Sequence, residues 1–147
     1  VIKFIESIRE TYSSILLIVN TISVAEKIFN LAKETNFEGK LFYLSSNLCP
    51  GHRKQVIDDM KCALKNDEPV ICISTQVIEC DVDISFSTVI RSIAGIDSIA
   101  QAVGRCNRHG EKELSNAFII NLKDDLENTS RLLSIDIGKK KTIGVLD

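Results

Sequence analysis

Five short apolar runs recur along the chain, each nearly continuous rather than alternating: residues 15–19 (ILLIV), 41–44 (LFYL), 70–73 (VICI), 88–90 (TVI) and 117–120 (AFII). A strand with one wet face alternates polar and apolar side chains, so runs like these predict strands covered on both faces, as parallel strands are. Parallel strands need long crossovers, usually helical. Most of the gaps between the runs do carry helical spacing. The combination predicts an α/β fold, a three-layer α/β/α sandwich around a parallel sheet. Ligands of such sheets are expected at the carboxyl ends of the strands.

After the first run, Ser23 and Glu26 have capping-box spacing, and Ala25, Ile28, Phe29 and Ala32 form an apolar stripe. After the second, Val56, Ile57, Met60, Ala63 and Leu64 repeat at helical intervals behind Pro50 and Gly51. Between the fourth and fifth runs, Asp97 can cap a helix over residues 98–108, with Gly110 ending it. An opening helix over residues 2–12 and a final one over residues 123–133 complete the reading. Signals weaken from residue 135 onward. The domain is therefore expected at residues 1–134, with 135–147 a tail or a linker toward a following domain.

A length of 147 residues suits one domain with one sizeable core. Apolar residues at 44% and charged residues at 26% exclude a disordered chain. No apolar run approaches the roughly 20 residues of a membrane span, and the start lacks the pattern of a signal peptide, so a cytoplasmic location without membrane contact is expected. The five cysteines are odd in number and form no CxxC pair, which predicts reduced, mostly buried thiols rather than a disulfide framework or a zinc site. A net charge of −2 means that any nucleic acid is gripped by a few placed groups, not found through a global positive field. The one basic cluster, Lys139-Lys140-Lys141, reads as solvated surface.

The strongest chemical signal is Gln101-Ala102-Val103-Gly104-Arg105-Cys106-Asn107-Arg108. On a continuous helix Gln101, Arg105 and Arg108 fall at i, i+4 and i+7, within about 60° of one another. Two guanidiniums and an amide on one face, with Gly104 beside them, suit a phosphate, because each guanidinium is a rigid fork of donors that stays charged. Spacing alone leaves open an ordinary polar surface helix.

That segment resembles motif VI of superfamily 2 helicases, QxxGRxxR, at every fixed position. Upstream, Ser74-Thr75-Gln76-Val77-Ile78-Glu79 followed by Val82-Asp83-Ile84 resembles motif V. With Tyr43-Leu44-Ser45-Ser46-Asn47 and Gly51-His52-Arg53-Lys54, the motifs resemble the CRISPR-associated helicase-nucleases of type I systems, in their second RecA-like lobe, over residues 15–121. The resemblance implies a P-loop NTPase-like fold and the C-terminal motor lobe of an ATP-dependent single-stranded-DNA translocase coupled to a nuclease in antiviral defence. It places Arg105 and Arg108 on the γ-phosphate of ATP, Arg108 as the arginine finger, with Gln101 and Gly104 lining the same cleft. Asp83 is placed near the ribose. Thr75, Ser45, Ser46 and Arg53 are placed along the DNA backbone. The implied partners are a first RecA-like lobe in the same protein, single-stranded DNA and a CRISPR RNA-guided surveillance complex. Other readings are a lobe of another superfamily 2 RNA or DNA helicase, or a nucleotide-sensing lobe without catalysis.

The chain departs from that pattern at Asp81, where relatives usually carry glycine, and at Ser92 and Gly95, where they often carry aspartate and proline. It also lacks a GxxxxGK[ST] loop to cradle phosphates. Asp58-Asp59 lies in a helical pattern and Asp67-Glu68 precedes a strand, so neither is placed to hold magnesium. The two histidines, His52 and His109, are too few and too far apart for a metal-dependent nuclease centre and read as surface or turn residues. No metal site is expected. ATP and Mg2+ would be shared with the first lobe, and without it the chain is expected to be inactive.

Overall fold

The computed structural model describes residues 1–79, 83–110, 113–123, 126–130 and 132–146. All five predicted runs are strands: β1 (Ser14–Ile18), β2 (Lys40–Leu44), β3 (Val70–Ser74), β4 (Thr88–Ser92) and β5 (Ala117–Ile120). They form one parallel sheet in the order β2-β3-β1-β4-β5. The central strands β1, β3 and β4 are buried at every position, which is why their sequences do not alternate.

The sheet separates two apolar layers. On one face Leu16 and Ile18 of β1 and Val70 and Cys72 of β3 pack with Met60 and Ala63 of α3 (Pro50–Lys65) and Ala102 of α4 (Ile96–Val103). On the other, Ile15 and Leu17 and then Ile71 and Ile73 meet Ile5 of α1 (Ile2–Ile8) and Val24, Ala25, Ile28 and Ala32 of α2 (Ile22–Lys33). Successive strand residues alternate between two covered faces, as the pleat requires.

Helix boundaries differ from the sequence expectation where local chemistry outweighs periodicity. The cap of α2 is Thr21, whose hydroxyl accepts from the Val24 N–H, rather than Ser23. Pro50 opens α3 from the first-turn position where its missing N–H costs nothing. α4 begins behind Gly95, with Asp97 in its first turn, and stops at Val103 rather than continuing to residue 108. α1 ends at Ile8 instead of residue 12. The helix expected over residues 123–133 is absent among the described residues there. The last helix, α5, instead spans Leu133–Leu146.

α5 docks through a close backbone approach. A Cβ on Gly138 would lie 2.8 Å from the Gly95 Cα, and the Thr142 hydroxyl donates to the Ala94 carbonyl at 2.8 Å. Lys139 is buried on this helix and Lys140 pairs with Asp136 at 2.8 Å, so the basic run is not simply a solvated face. Of the described cysteines, Cys72 is buried, Cys106 half-buried, and Cys49 and Cys62 exposed. Fewer thiols are covered than expected.

Candidate functional site

The residues singled out in the sequence divide between two ends of the sheet. Thr75 directly follows β3 and Ser45 directly follows β2; the strands run in register, Leu44 beside Ser74, so both turns emerge at the carboxyl edge. Ser45 and Thr75 are buried and Ser46 is exposed. The Ser45 hydroxyl donates to the Asn47 side-chain oxygen, and the Asn47 amide donates to Glu26 of α2 at 3.1 Å. Arg53, in the first turn of α3, donates to the carbonyls of Ser46 at 3.2 Å and Leu48 at 3.1 Å. Its guanidinium thus braces the turn through backbone carbonyls, with Ser46 exposed.

The motif VI residues do not share one helical face. Beyond Val103 the chain leaves the helix and pairs with the segment that enters β4. The Phe86 N–H donates to the Arg105 carbonyl at 2.9 Å, and the Asn107 N–H donates to the Phe86 carbonyl at 2.8 Å. Asn107 sits at φ 48°, in the left-handed region where asparagine is among the more tolerant side chains. This reversal sends the two arginines apart. Arg105 turns inward, 6% exposed, and donates to the Glu79 carbonyl at 2.9 Å. Arg108 turns outward, its Nε 3.0 Å from an Asp83 carboxylate oxygen, with side chains 42% and 70% exposed.

His109 approaches the same Asp83 oxygen to 3.5 Å. Asp83, Asn107 and His109 line a hollow of about 410 Å³ with Ser14 and Ser87, at or just before the starts of β1 and β4. The Asp83–Arg108 pair therefore stands at the amino edge of the sheet, not at the carboxyl edge that the fold class suggested. Gln101 is exposed on α4. Gly104 has an ordinary right-handed backbone, and an added Cβ would lie 3.3 Å from the Gln101 carbonyl oxygen. Asp81, with Cys80 and Val82, lies outside the described residues.

Between the two edges runs a buried polar network that the sequence reading missed. Motif V leaves β3 as a 3-10 turn, Gln76–Glu79, whose last side chain points inward. Glu79 meets the Arg91 Nε of β4 at 2.9 Å and accepts from the Ser98 hydroxyl of α4 at 2.8 Å. Arg91 also donates to Ser98, to the Asn20 side-chain oxygen and to the Ser92 carbonyl, each at 2.8 Å. Asn20 is held in turn by Glu127, fully buried, which accepts from the Asn20 N–H at 2.6 Å and from the Ser92 hydroxyl. Burial pushes the Glu79 carboxyl above the usual carboxylate range, opposed by the Arg91 charge. Burial likewise pulls the Arg91 guanidinium below its ordinary value, opposed by Glu79 and Glu127. The signal was available: Arg91 continues the apolar run 88–90 into a strand covered on both faces, and a charge there needs a buried partner. No group of three metal-ligating side chains occurs among the described residues.

A parallel five-stranded sheet carrying motif V between its two edges and motif VI beside β4 defines the second, RecA-like lobe of a superfamily 2 helicase. The particular family follows from comparison with known proteins. The signature of the family described as CRISPR-associated nuclease/helicase Cas3, C-terminal, matches residues 11–111. A CRISPR-associated nuclease/helicase Cas3 of Methanothermobacter thermautotrophicus is 31% identical over 119 residues, 80% of this chain and 14% of that protein. Its counterpart in Haloferax volcanii is 46% identical over 68 residues, 46% of this chain and 7% of that protein. The crystal structure of T. fusca Cas3 superposes on 92% of this chain and 19% of its own with a TM-score of 0.68 at 17% identity, a likeness of fold. The chain belongs to the Cas3-like C-terminal family, and it spans a sixth or less of the curated relatives it matches.

Proposed function

We propose that this chain is the C-terminal motor lobe of an ATP-dependent translocase that moves on single-stranded DNA, coupled to a nuclease in CRISPR defence. The observation that carries the reading is the Asp83–Arg108 pair, in which motif V and motif VI meet at an open surface. Exposed ion pairs contribute only about 0.2–1 kcal/mol, so Arg108 can exchange Asp83 for another anion at little cost.

In the mechanism that follows, magnesium-ATP is the substrate, presented by a Walker-bearing lobe that this sequence does not contain. Arg108 leaves Asp83 and stabilises charge on the transferred phosphoryl group as an arginine finger. Asp83, released, accepts a hydrogen bond from the ribose. Arg105 supports the finger from within and reaches phosphate only if it gives up the Glu79 carbonyl. Gln101 and Gly104 line the cleft. At the opposite edge Ser46 makes first contact with the strand, Arg53 holds its turn, and Thr75 and Ser45 join as the turn opens. Such contacts position a backbone without reading sequence, as a translocase requires. Alone, this chain does not turn over ATP. The surveillance complex that recognises the target supplies the strand.

Single-stranded-DNA stimulation of ATP hydrolysis by the full-length protein tests this directly. The reading expects strong stimulation by single-stranded DNA and little by RNA. Turnover indifferent to DNA, or answering only to RNA, contradicts it and returns the lobe to a nucleotide sensor or an RNA motor.

A further inference from the structure

The proposed function leaves a gap: strand contact sits at the carboxyl edge of the sheet, the arginine finger at the amino edge, and something must link them. Thr75 directly precedes the 3-10 turn Gln76–Glu79, its carbonyl accepting from the Ile78 N–H at 3.5 Å, and Glu79 is the last residue of that turn. The Glu79 carboxylate grips Arg91 of β4 and Ser98 of α4, while its backbone carbonyl takes the Arg105 guanidinium at 2.9 Å. The 3-10 turn is tied to the segment after β1 as well, through the Gln76 amide donating to the Asn20 side-chain oxygen at 3.5 Å. Arg91 and Glu79 are almost wholly buried. A buried ion pair is weak support for stability, because well-packed apolar residues do as well or better, so a pair at this junction asks for another account.

We propose that Glu79 is a positioning residue that relays strand engagement at Thr75 to the motif VI arginines, with Arg91 as the counter-charge that makes the relay stiff. A shift of the Thr75 turn carries Glu79 with it. The Glu79 carboxylate cannot part from Arg91 without stranding a charge out of water, so the shift is passed on, to α4 through Ser98 and to motif VI through Arg105. This inference rests on the proposed motor function and assigns one residue to its coupling.

The test is Glu79→Gln in the full-length protein, which keeps the shape and the Ser98 contact and removes the charge. DNA-stimulated kcat falls about fivefold to tenfold, the size of a typical coupling, while KM for ATP and single-stranded-DNA affinity stay within about twofold. A residue that only holds the fold would move all three together with the melting temperature. If Glu79→Gln does not fold, the triple Glu79→Leu, Arg91→Met, Glu127→Gln variant decides, since it removes all three buried charges of the network together. That variant is expected to be folded and equally uncoupled. Normal DNA stimulation in whichever variant folds overturns the proposal. Arg108→Ala separates the two readings: if it leaves turnover intact, the motor function itself fails. If it abolishes turnover while Glu79→Gln is stimulated normally, only the relay does.

Discussion

Arg91 and Arg108 make the same bond in opposite surroundings. The Arg91–Glu79 pair is 2.9 Å long with side chains 1% and 5% exposed; the Arg108–Asp83 pair is 3.0 Å long with side chains 42% and 70% exposed. Distance does not distinguish them, but water does. The buried pair has been stripped of solvent and is locked by further hydrogen bonds to Asn20, Ser92 and Ser98. The exposed pair keeps its solvent and can swap partners. One is fixed in the frame between the two edges of the sheet, and the other stands exposed at the amino edge.

Removing one member of each pair should expose that difference. Arg91→Met strands Glu79 and leaves part of Glu127 unmatched, so we expect a loss of about 3–5 kcal/mol, read by chemical denaturation. A loss below about 1 kcal/mol would mean the buried network is wetter than described. Next in size is the turn that separates the arginines. Asn107→Val forces a β-branched side chain into left-handed backbone and costs about 1–2 kcal/mol, whereas Asn107→Gly stays within about 0.5 kcal/mol. Equal losses in the two variants would show that the side chain, not the backbone angle, holds the turn. The smallest effect is expected at the exposed pair. Asp83→Ala should shift stability by no more than about 0.5 kcal/mol. A larger drop would make the pair a structural clamp rather than an exchangeable contact.

The strands were legible because a parallel strand covered on both faces has no polar positions to spend, and its apolar run shows directly. β4 was read two residues short: the run 88–90 stops before Arg91 and Ser92, and nothing local announces that Glu79 and Glu127 wait to neutralise the arginine. Glu127 itself was assigned to a helix over residues 123–133, yet it is needed at Asn20, and the described part of that segment before α5 is turn and irregular chain. The motif VI residues were legible as a set and misplaced as a geometry. Helical spacing puts Gln101, Arg105 and Arg108 together, but Phe86 takes up the Arg105 and Asn107 backbone in a bridge, and the helix gives way at Gly104. α5 was missed because what docks it is a close approach between Gly138 and Gly95, which no periodicity reports. Ser45 and Thr75 do directly follow strand ends, as the apolar runs implied, though their burial could not be read from the sequence.

We propose that the outward guanidinium of Arg108 is held in reserve for phosphate, and Arg108→Ala in the full-length protein puts this to the test. ATP turnover in the presence of single-stranded DNA should fall by roughly 10³-fold or more, the scale of losing an arginine finger, with DNA affinity kept within about twofold. Turnover equal to that of the unaltered protein would contradict it.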